Sequence, residues 1–580
     1  MIYFTDFYLL TNPFCYMKHT FLLPLLVVLF TIPSGLVIAQ TEKSAESKID
    51  ELFAPWNSQE KPGASVAVVK DGALVFSKGY GMANLEYGIA NTPTTVFHVA
   101  SVSKQFTVYA VLLLARDGKL SLEDNIRKHI PEVPVFGKTI TLRHLANHTS
   151  GLRDQWNLLT LAGWRMDDVI TTEHILKLVS SQKELNFNPG EEYAYCNTGF
   201  TLLAEVVARV SGKSFAAFTH ERIFTPLRMS NTLFYDDHQK IVKNRAYSYY
   251  QDGAVYKKSV LNYANAGATS LFTTVEDLAL WAIHLNNPPA ADAAMVNQMN
   301  TKATLNNGTT IDGALGQFVV DYKGLLQIQH GGADAGYRTY LGRFPEQKFA
   351  VIVFSNEASF NPGNMALKVA DVYLEKFYAR TEHVKPKKEQ PVKSVKLLPK
   401  QLEVFCGSYW DDQAKSSRKI YLKNDTLYYH RTDNSESPLI PVSNSEFKMI
   451  NVPDDLRVAF GKNSENKSTM TVTIAGTPPS NFIGYEPANY TIEQLKQFEG
   501  HYYSEELSAA YTLRLKEGKL TAIHPRLSDI QLNPIMHDLF SGNRFFMGLV
   551  QFDRTSNGDI TGFRVSSGRV RNLRFVKPPR

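Results

Sequence analysis

The sequence predicts a large α/β domain, an antiparallel sheet flanked by helices with a helical part inserted, followed by two small all-β antiparallel barrels. Three observations carry this. From Ile49 to about Arg380, strand-like and helix-like segments alternate, with strands at both ends and helices between them. Residues 381–397 are rich in Lys and Pro and poor in apolar side chains, as a solvated linker should be. Beyond them the text repeats itself at a fixed offset of 93 residues.

In chain order, residues 1–39 read as an upstream extension and a signal peptide. Met17-Lys18 is the better start. Lys18 supplies the positive charge, Phe21 to Ile32 the apolar core, Pro33-Ser34-Gly35 a break, and Val37-Ile38-Ala39 small residues before Gln40. The expectation is a secreted or periplasmic protein with no stable membrane span after cleavage. A retained anchor is the alternative, because the apolar stretch with its flanks nearly spans a bilayer. Past this segment only Cys196 and Cys406 remain, too few for a disulfide framework, and the sequence leaves their pairing open.

Residues 40–380 form the α/β domain. "ASVAVVKDGALVFSKGYGMAN" reads as a hairpin turning at Asp71-Gly72. "KQFTVYAVLLLARDGKL" is a helix stopped near Gly118, and "TLLAEVVARVSG" repeats the design. "TYLGRFPEQKFAVIVFSNE" reads as two strands around a short turn. Barrels are expected at 398–487 and 488–580. Gln401-Leu402, Phe405, Gly407 and Tyr409 return as Gln494-Leu495, Phe498, Gly500 and Tyr502, and Ile420, Leu422 and Leu427 as Leu513, Leu515 and Leu520. Short alternating strands with frequent turn signals suit closed barrels, which leave no edge exposed.

A chain of 580 residues with a formal net charge of +6 carries no long basic block interleaved with aromatics, so nucleic acid is excluded as an expected partner. The chemistry must come from a site. Ser-x-x-Lys occurs six times, so the pattern alone settles nothing, and the company it keeps must choose; Ser101/Lys104 stands before a long apolar helix. There, Ser101 sits at a helix N-terminus and Lys104 falls on its face almost one turn later. A serine hydroxyl needs a base, and a desolvated lysine can be one. Tyr195 and Asn197 precede a second helix, and His330-Gly331-Gly332 accompanies a strand. Tyr263-Ala264-Asn265 is a decoy of the Tyr-x-Asn pattern.

In that order and spacing, Ser-x-x-Lys, Tyr-x-Asn and His-x-Gly resemble the penicillin-recognising serine hydrolases. These include class C β-lactamases, D-Ala-D-Ala carboxypeptidases, D-aminopeptidases and related esterases. "LRHLANHTSGL" at 142–152 and "GATSLFTTVEDLALWA" at 267–282 strengthen the likeness, which covers about residues 45–380. The resemblance implies a β-lactamase/transpeptidase-like fold, Ser101 as nucleophile, Lys104 as its base and Tyr195 as proton shuttle. It implies that Asn197 binds the substrate amide and steadies Lys104. It also implies that His330, Gly331 and Gly332 line the substrate strand, and that the N–H groups of Ser101 and Ala333 form the oxyanion hole. The two barrels resemble those of D-aminopeptidases, where a barrel loop enters the cleft.

Two departures bear on substrate. His330 stands where many members have lysine and is largely neutral near pH 7, which lowers the weight of β-lactamase activity; Arg338 is the candidate replacement cation. Cys196 occupies the middle of Tyr-x-Asn and reads as a small packed side chain rather than a thiol nucleophile. His144 and His148, four residues apart, lack HExxH or nearby cysteines and read as structural. The expectation is therefore an exported hydrolase of amides or esters, foremost of D-amino-acid peptides including peptidoglycan-derived ones, without metal or cofactor. A β-lactamase or short-chain esterase is the alternative within enzymes, and a non-catalytic penicillin- or ligand-binding protein the alternative outside them.

Overall fold

Asp71 (φ 52°) and Gly72 (φ 80°) both adopt left-handed backbone angles and close a two-residue turn between strands β1 (Ala64–Lys70) and β2 (Ala73–Tyr80). Such a turn matches the natural twist of a hairpin. The computed structural model describes residues 43–378, 394–431, 435–452, 455–474 and 479–578. The expected leader at 1–39 lies outside these residues, as does most of the expected linker at 381–397. Among the described residues no helix is long and apolar enough to cross a membrane.

Four further strands, β3 (Phe318–Tyr322), β4 (Leu325–Asp334), β5 (Tyr337–Phe344) and β6 (Phe349–Ser355), complete an antiparallel sheet in the order β3-β4-β5-β6-β1-β2. Side chains alternate across a strand, and here both faces are covered. Val66, Val68, Val351 and Val353 pack on helices α1 (Ala45–Phe53) and α7 (Pro362–Leu374). Ala67, Val69, Ile352 and Phe354 join the opposite core, with α2 (Ser103–Arg116) and α6 (Val275–Asn286). Between β2 and β3 lies the inserted helical part, including α3 (Gln155–Leu161), α4 (Thr172–Ser180) and α5 (Asn197–Ser211). Gly212 at φ 70° ends α5 as a left-handed cap.

Two closed eight-stranded antiparallel barrels follow. Their first strands, Gly407–Asp411 and Gly500–Ser504, keep the 93-residue offset, as do Ser416–Lys423 with Ala509–Lys516 and Thr426–His430 with Lys519–Ile523. The repeat has a physical basis. The Tyr409 hydroxyl donates to the Phe405 carbonyl at 2.9 Å, and Tyr502 does the same to Phe498 at 2.8 Å.

The second barrel ends in strands β7 (Ile560–Ser567) and β8 (Val570–Val576) and packs against α3 and α4. At the centre, the fully buried Arg153 guanidinium donates to Glu506 at 2.6 Å, to Gln182 at 3.1 Å and to the Arg571 carbonyl at 2.9 Å. The Tyr511 hydroxyl reaches the Leu161 carbonyl at 3.1 Å. Gly163 (φ 84°) lies so close to the His524 ring that a Cβ would meet it at 1.9 Å. Arg571–Glu192, Arg574–Glu184 and Arg526–Asp168 pairs surround this centre.

Candidate active site

Ser101 stands in a single turn of 3-10 helix, Ala100–Val102, that leads into α2. Ala100 is held at φ 47°, a left-handed angle that a residue with a Cβ adopts at a cost. Three bonds hold the turn. Ser103 Oγ donates to the Ala100 carbonyl at 2.5 Å and accepts from the Leu271 N–H at 3.1 Å, while Thr339 Oγ1 donates to the Val99 carbonyl at 2.9 Å. Gly332 of β4 makes this approach possible, since a Cβ there would lie 2.3 Å from the Val99 oxygen. Gly331 is different. A Cβ at that position would make only ordinary contacts, so space requires one glycine of the pair.

Lys104 is 0% exposed. Its Nζ donates to Ser101 Oγ at 3.0 Å, Asn197 Oδ1 at 2.9 Å and the Ala268 carbonyl at 2.7 Å. Burial lowers its pKa to about 7, with Asp334 and Asp154 acting in the opposite sense. Tyr195 lies beside it, the ring centroid 4.9 Å from Nζ. Burial drives the Tyr195 phenol well above its usual range, so it is protonated at neutral pH. The arrangement thus pairs a serine hydroxyl with an amine that is half neutral near pH 7 and a phenol that keeps its proton.

Asp154, absent from the sequence-based set, orients this group. Its Oδ1 caps α3 by accepting from the Trp156 N–H at 3.0 Å. Its Oδ2 accepts from the Asn197 N–H at 2.7 Å and from Asn197 Nδ2 at 2.8 Å. With Nδ2 committed to a carboxylate, Oδ1 must face Lys104. An aspartate at a helix start is legible as a cap; nothing in the sequence marks its second job.

The two additional signature stretches lie one layer out. "LRHLANHTSGL" places His148, whose Nδ1 accepts from the Cys196 N–H at 3.0 Å and whose ring stacks on Tyr195 at 4.2 Å. His144 instead caps its own helix, Nδ1 accepting from the Thr141 N–H at 3.2 Å. "GATSLFTT" places the Ala268 carbonyl on Lys104. Cys196 is buried, donates to the Leu152 carbonyl at 3.3 Å, and has its pKa pushed up to about 12, which makes it a poor nucleophile. Cys196 and Cys406 are both free thiols.

A cleft of about 470 Å³ opens over Ser101, walled by Trp156, Tyr195, Asn197, Phe318 and residues 330–334 of β4. Strand β3 pairs with β4 only as far as Gln329, so among the described residues the β4 edge facing away from β5 has no strand beside it from His330 onward, and Ala333 lies along the cleft. His330 is buried, and burial with Lys104 nearby lowers its pKa to about 3, so its ring is neutral. Its Nε2 is buried without a partner. Arg338 also lines the cleft, but its guanidinium turns back onto the Ala335 and Tyr337 carbonyls at 3.1 and 2.7 Å. Asp334, at the end of β4, accepts from Thr269 Oγ1, and burial raises its pKa to about 6. Arg569, from the second barrel, forms part of the wall and was not anticipated residue by residue. The decoy Tyr263 lies against Trp156, ring centroids 4.6 Å apart, and is not among the residues lining this cleft. Among the described residues no group of three or more His, Cys, Asp or Glu is placed to hold a metal ion.

Comparison with known proteins gives the family and the fold. The family model described as Beta-lactamase matches residues 45–373. Protein flp of Staphylococcus aureus (strain MW2) is 29% identical over 306 residues, 51% of this chain and 59% of flp. A D-aminopeptidase of Gluconobacter oxydans is 27% identical over 303 residues, 51% of this chain and 56% of that protein. The chain thus spans less than two thirds of the curated relatives it matches. Among solved structures, the octameric penicillin-binding protein homologue from Pyrococcus abyssi superposes with a TM-score of 0.53 at 23% identity, covering 76% of this chain and 99% of that one. D-amino acid amidase from Ochrobactrum anthropi SV3 does so with 0.50 at 21%, covering 58% and 100%. These two likenesses are likenesses of fold.

Proposed function

Since the chain belongs to the beta-lactamase family through residues 45–373, we propose that it is a serine hydrolase that cleaves amide or ester bonds through an acyl-enzyme on Ser101. One observation carries the reading: a fully buried Lys104, its pKa lowered to about 7, lies 3.0 Å from Ser101 Oγ. In its neutral form Lys104 takes the Ser101 proton as Oγ adds to the substrate carbonyl carbon. The oxyanion is held by the N–H groups of Ser101 and Ala333, an arrangement whose loss costs about 10²–10³ in rate elsewhere. Tyr195 gives its phenolic proton to the departing amine or alkoxide and is reprotonated through Lys104. Water then adds to the acyl carbon by the reverse proton path, releasing the acid and restoring Ser101. Asn197 holds the substrate amide, and the free β4 edge at Gly331–Ala333 aligns the substrate backbone.

D-amino-acid peptides are the leading substrate class, by way of the D-aminopeptidase relative and the neutral His330, which provides no fixed cation of the lysine kind. β-Lactams and short-chain esters are the competing substrates. An exported location rests on the leader-like pattern in residues 1–39. Labelling with a fluorophosphonate and locating the adduct tests the mechanism: Ser101 is the expected site, and no adduct, or one on Cys196, overturns it. Turnover of D-alanyl amides, nitrocefin and p-nitrophenyl esters, measured side by side, ranks the substrates.

A further inference from the structure

The turn between β7 and β8 carries Gly568 and Arg569, and it is fastened to the catalytic domain by backbone rather than side chain. The Arg569 carbonyl accepts from the Asp154 N–H at 3.1 Å and from Asn186 Nδ2 at 3.0 Å. Asn186 Oδ1 accepts in turn from the Arg571 N–H at 2.8 Å. The Arg569 side chain is thereby left over the cleft, its guanidinium carbon 5.1 Å from the Tyr195 ring centroid. The neighbouring arginines on this face have carboxylate partners: Arg153 with Glu506, Arg571 with Glu192, Arg574 with Glu184. Arg569 does not. Among the described residues its guanidinium has no hydrogen-bond or ion-pair partner, and it is exposed.

The other positive groups of the cleft are already committed. Lys104 serves three acceptors, Arg338 is turned onto two carbonyls, and His330 is neutral. A guanidinium presents a rigid fork of donors that matches a carboxylate with two parallel bonds. We infer that Arg569 is a specificity-determining residue, a cation lent by the second barrel that anchors a carboxylate on the departing part of the substrate. This rests on the acyl-enzyme reading above and narrows it, favouring peptides with a free terminal carboxylate over amides and neutral esters. The side chain makes no hydrogen bond or ion pair among the described residues, its one contact being with the Tyr195 ring, so substituting it leaves the fastening carbonyl in place.

The test compares D-alanyl-D-alanine with D-alanyl-D-alaninamide in the full chain, following release of D-alanine or D-alaninamide by mass spectrometry. The wild type is expected to favour the carboxylate substrate in kcat/KM by roughly tenfold or more, as a charged hydrogen-bonded pair supplies. The ratio should collapse to within about threefold in R569A and R569Q, be partly kept in R569K, and shrink with added salt. Melting curves check that the variants fold. Protection of Ser101 from fluorophosphonate by D-alanine against D-alaninamide gives a second readout where turnover is slow. A wild type with no carboxylate preference in both readouts, or a preference intact in R569A, overturns the role of Arg569 while Ser101 labelling still stands. Absence of any Ser101 adduct in the wild type overturns the acyl-enzyme reading and this inference with it.

Discussion

Asp154 holds Asn197 twice, accepting from its backbone N–H at 2.7 Å and from its Nδ2 at 2.8 Å through one carboxylate oxygen. The side chain of Asn197 is thereby pointed, oxygen first, at Lys104. In D154N one of these donors meets an amide or loses its charged acceptor, so Asn197 loses its fixed orientation. We expect kcat/KM to fall roughly 10- to 100-fold, the scale of losses from misplaced groups. Asp154 also raises the Lys104 pKa, so the acid limb of the pH–rate profile should move to lower pH. A loss of rate with no movement of the limb would count against the Asp154 charge acting on Lys104.

Lys104 sets the pH dependence. Acylation of Ser101 should rise with pH through about 7 as the amine loses its proton. Stability moves in the same direction. Because the folded pKa is depressed below 10.5, the unfolded chain binds the proton more strongly between about 7 and 10.5, and stability rises with pH across that window. In K104M this dependence disappears. The melting-temperature difference between variant and wild type should therefore shift in favour of the variant from pH 9.5 to 7, with activity lost at both.

Tyr195 and Cys196 are neighbours with opposite expectations. Y195F removes the proposed proton carrier, and kcat for amide substrates should drop roughly 10²- to 10⁴-fold. C196S replaces a buried thiol bonded to the Leu152 carbonyl by a hydroxyl able to make the same bond. Its turnover should stay within a few fold and its adduct should remain on Ser101, as intact-mass and peptide mapping would show.

Glu506 meets Arg153 where barrel and helices join, with side-chain exposures of 5% and 0%. E506Q leaves a buried guanidinium without its carboxylate, which typically costs about 3–5 kcal/mol. Limited proteolysis near the joint and a lowered first melting transition should report this; unchanged protection would mean that Gln182 and the Arg571 carbonyl suffice.

Much of this was legible in the text because it is local or periodic. Asp71-Gly72 announces its hairpin, and the paired Phe/Gly/Tyr spacing announces both barrels, since one hydroxyl-to-carbonyl bond recurs in each. Ser101, Lys104, Tyr195, Asn197 and His330 could be picked out by order and spacing, and the fold brings Ser101, Tyr195, Asn197 and His330 to one cleft with Lys104 buried against Ser101. Gly331 and Gly332 looked equivalent, yet only the approach to Val99 distinguishes them. Asp154 and Arg569 were hidden for a different reason. Asp154 meets Asn197 43 residues away, Arg569 reaches the cleft from a different domain, and an exposed barrel arginine carries no pattern of its own.

The joint at Arg153 links residues 418 positions apart, through the Arg571 carbonyl. Synthesis delivers the Ser101 centre early and the far wall of its cleft much later. For that interval Ser101 and Lys104 lie in a half-open trough, and the chain must close a long loop before the trough gains its last side. With the roles proposed for Ser101 and Arg569, selectivity would be acquired after reactivity. A nascent or clipped form lacking the late strands would be less discriminating than the finished molecule.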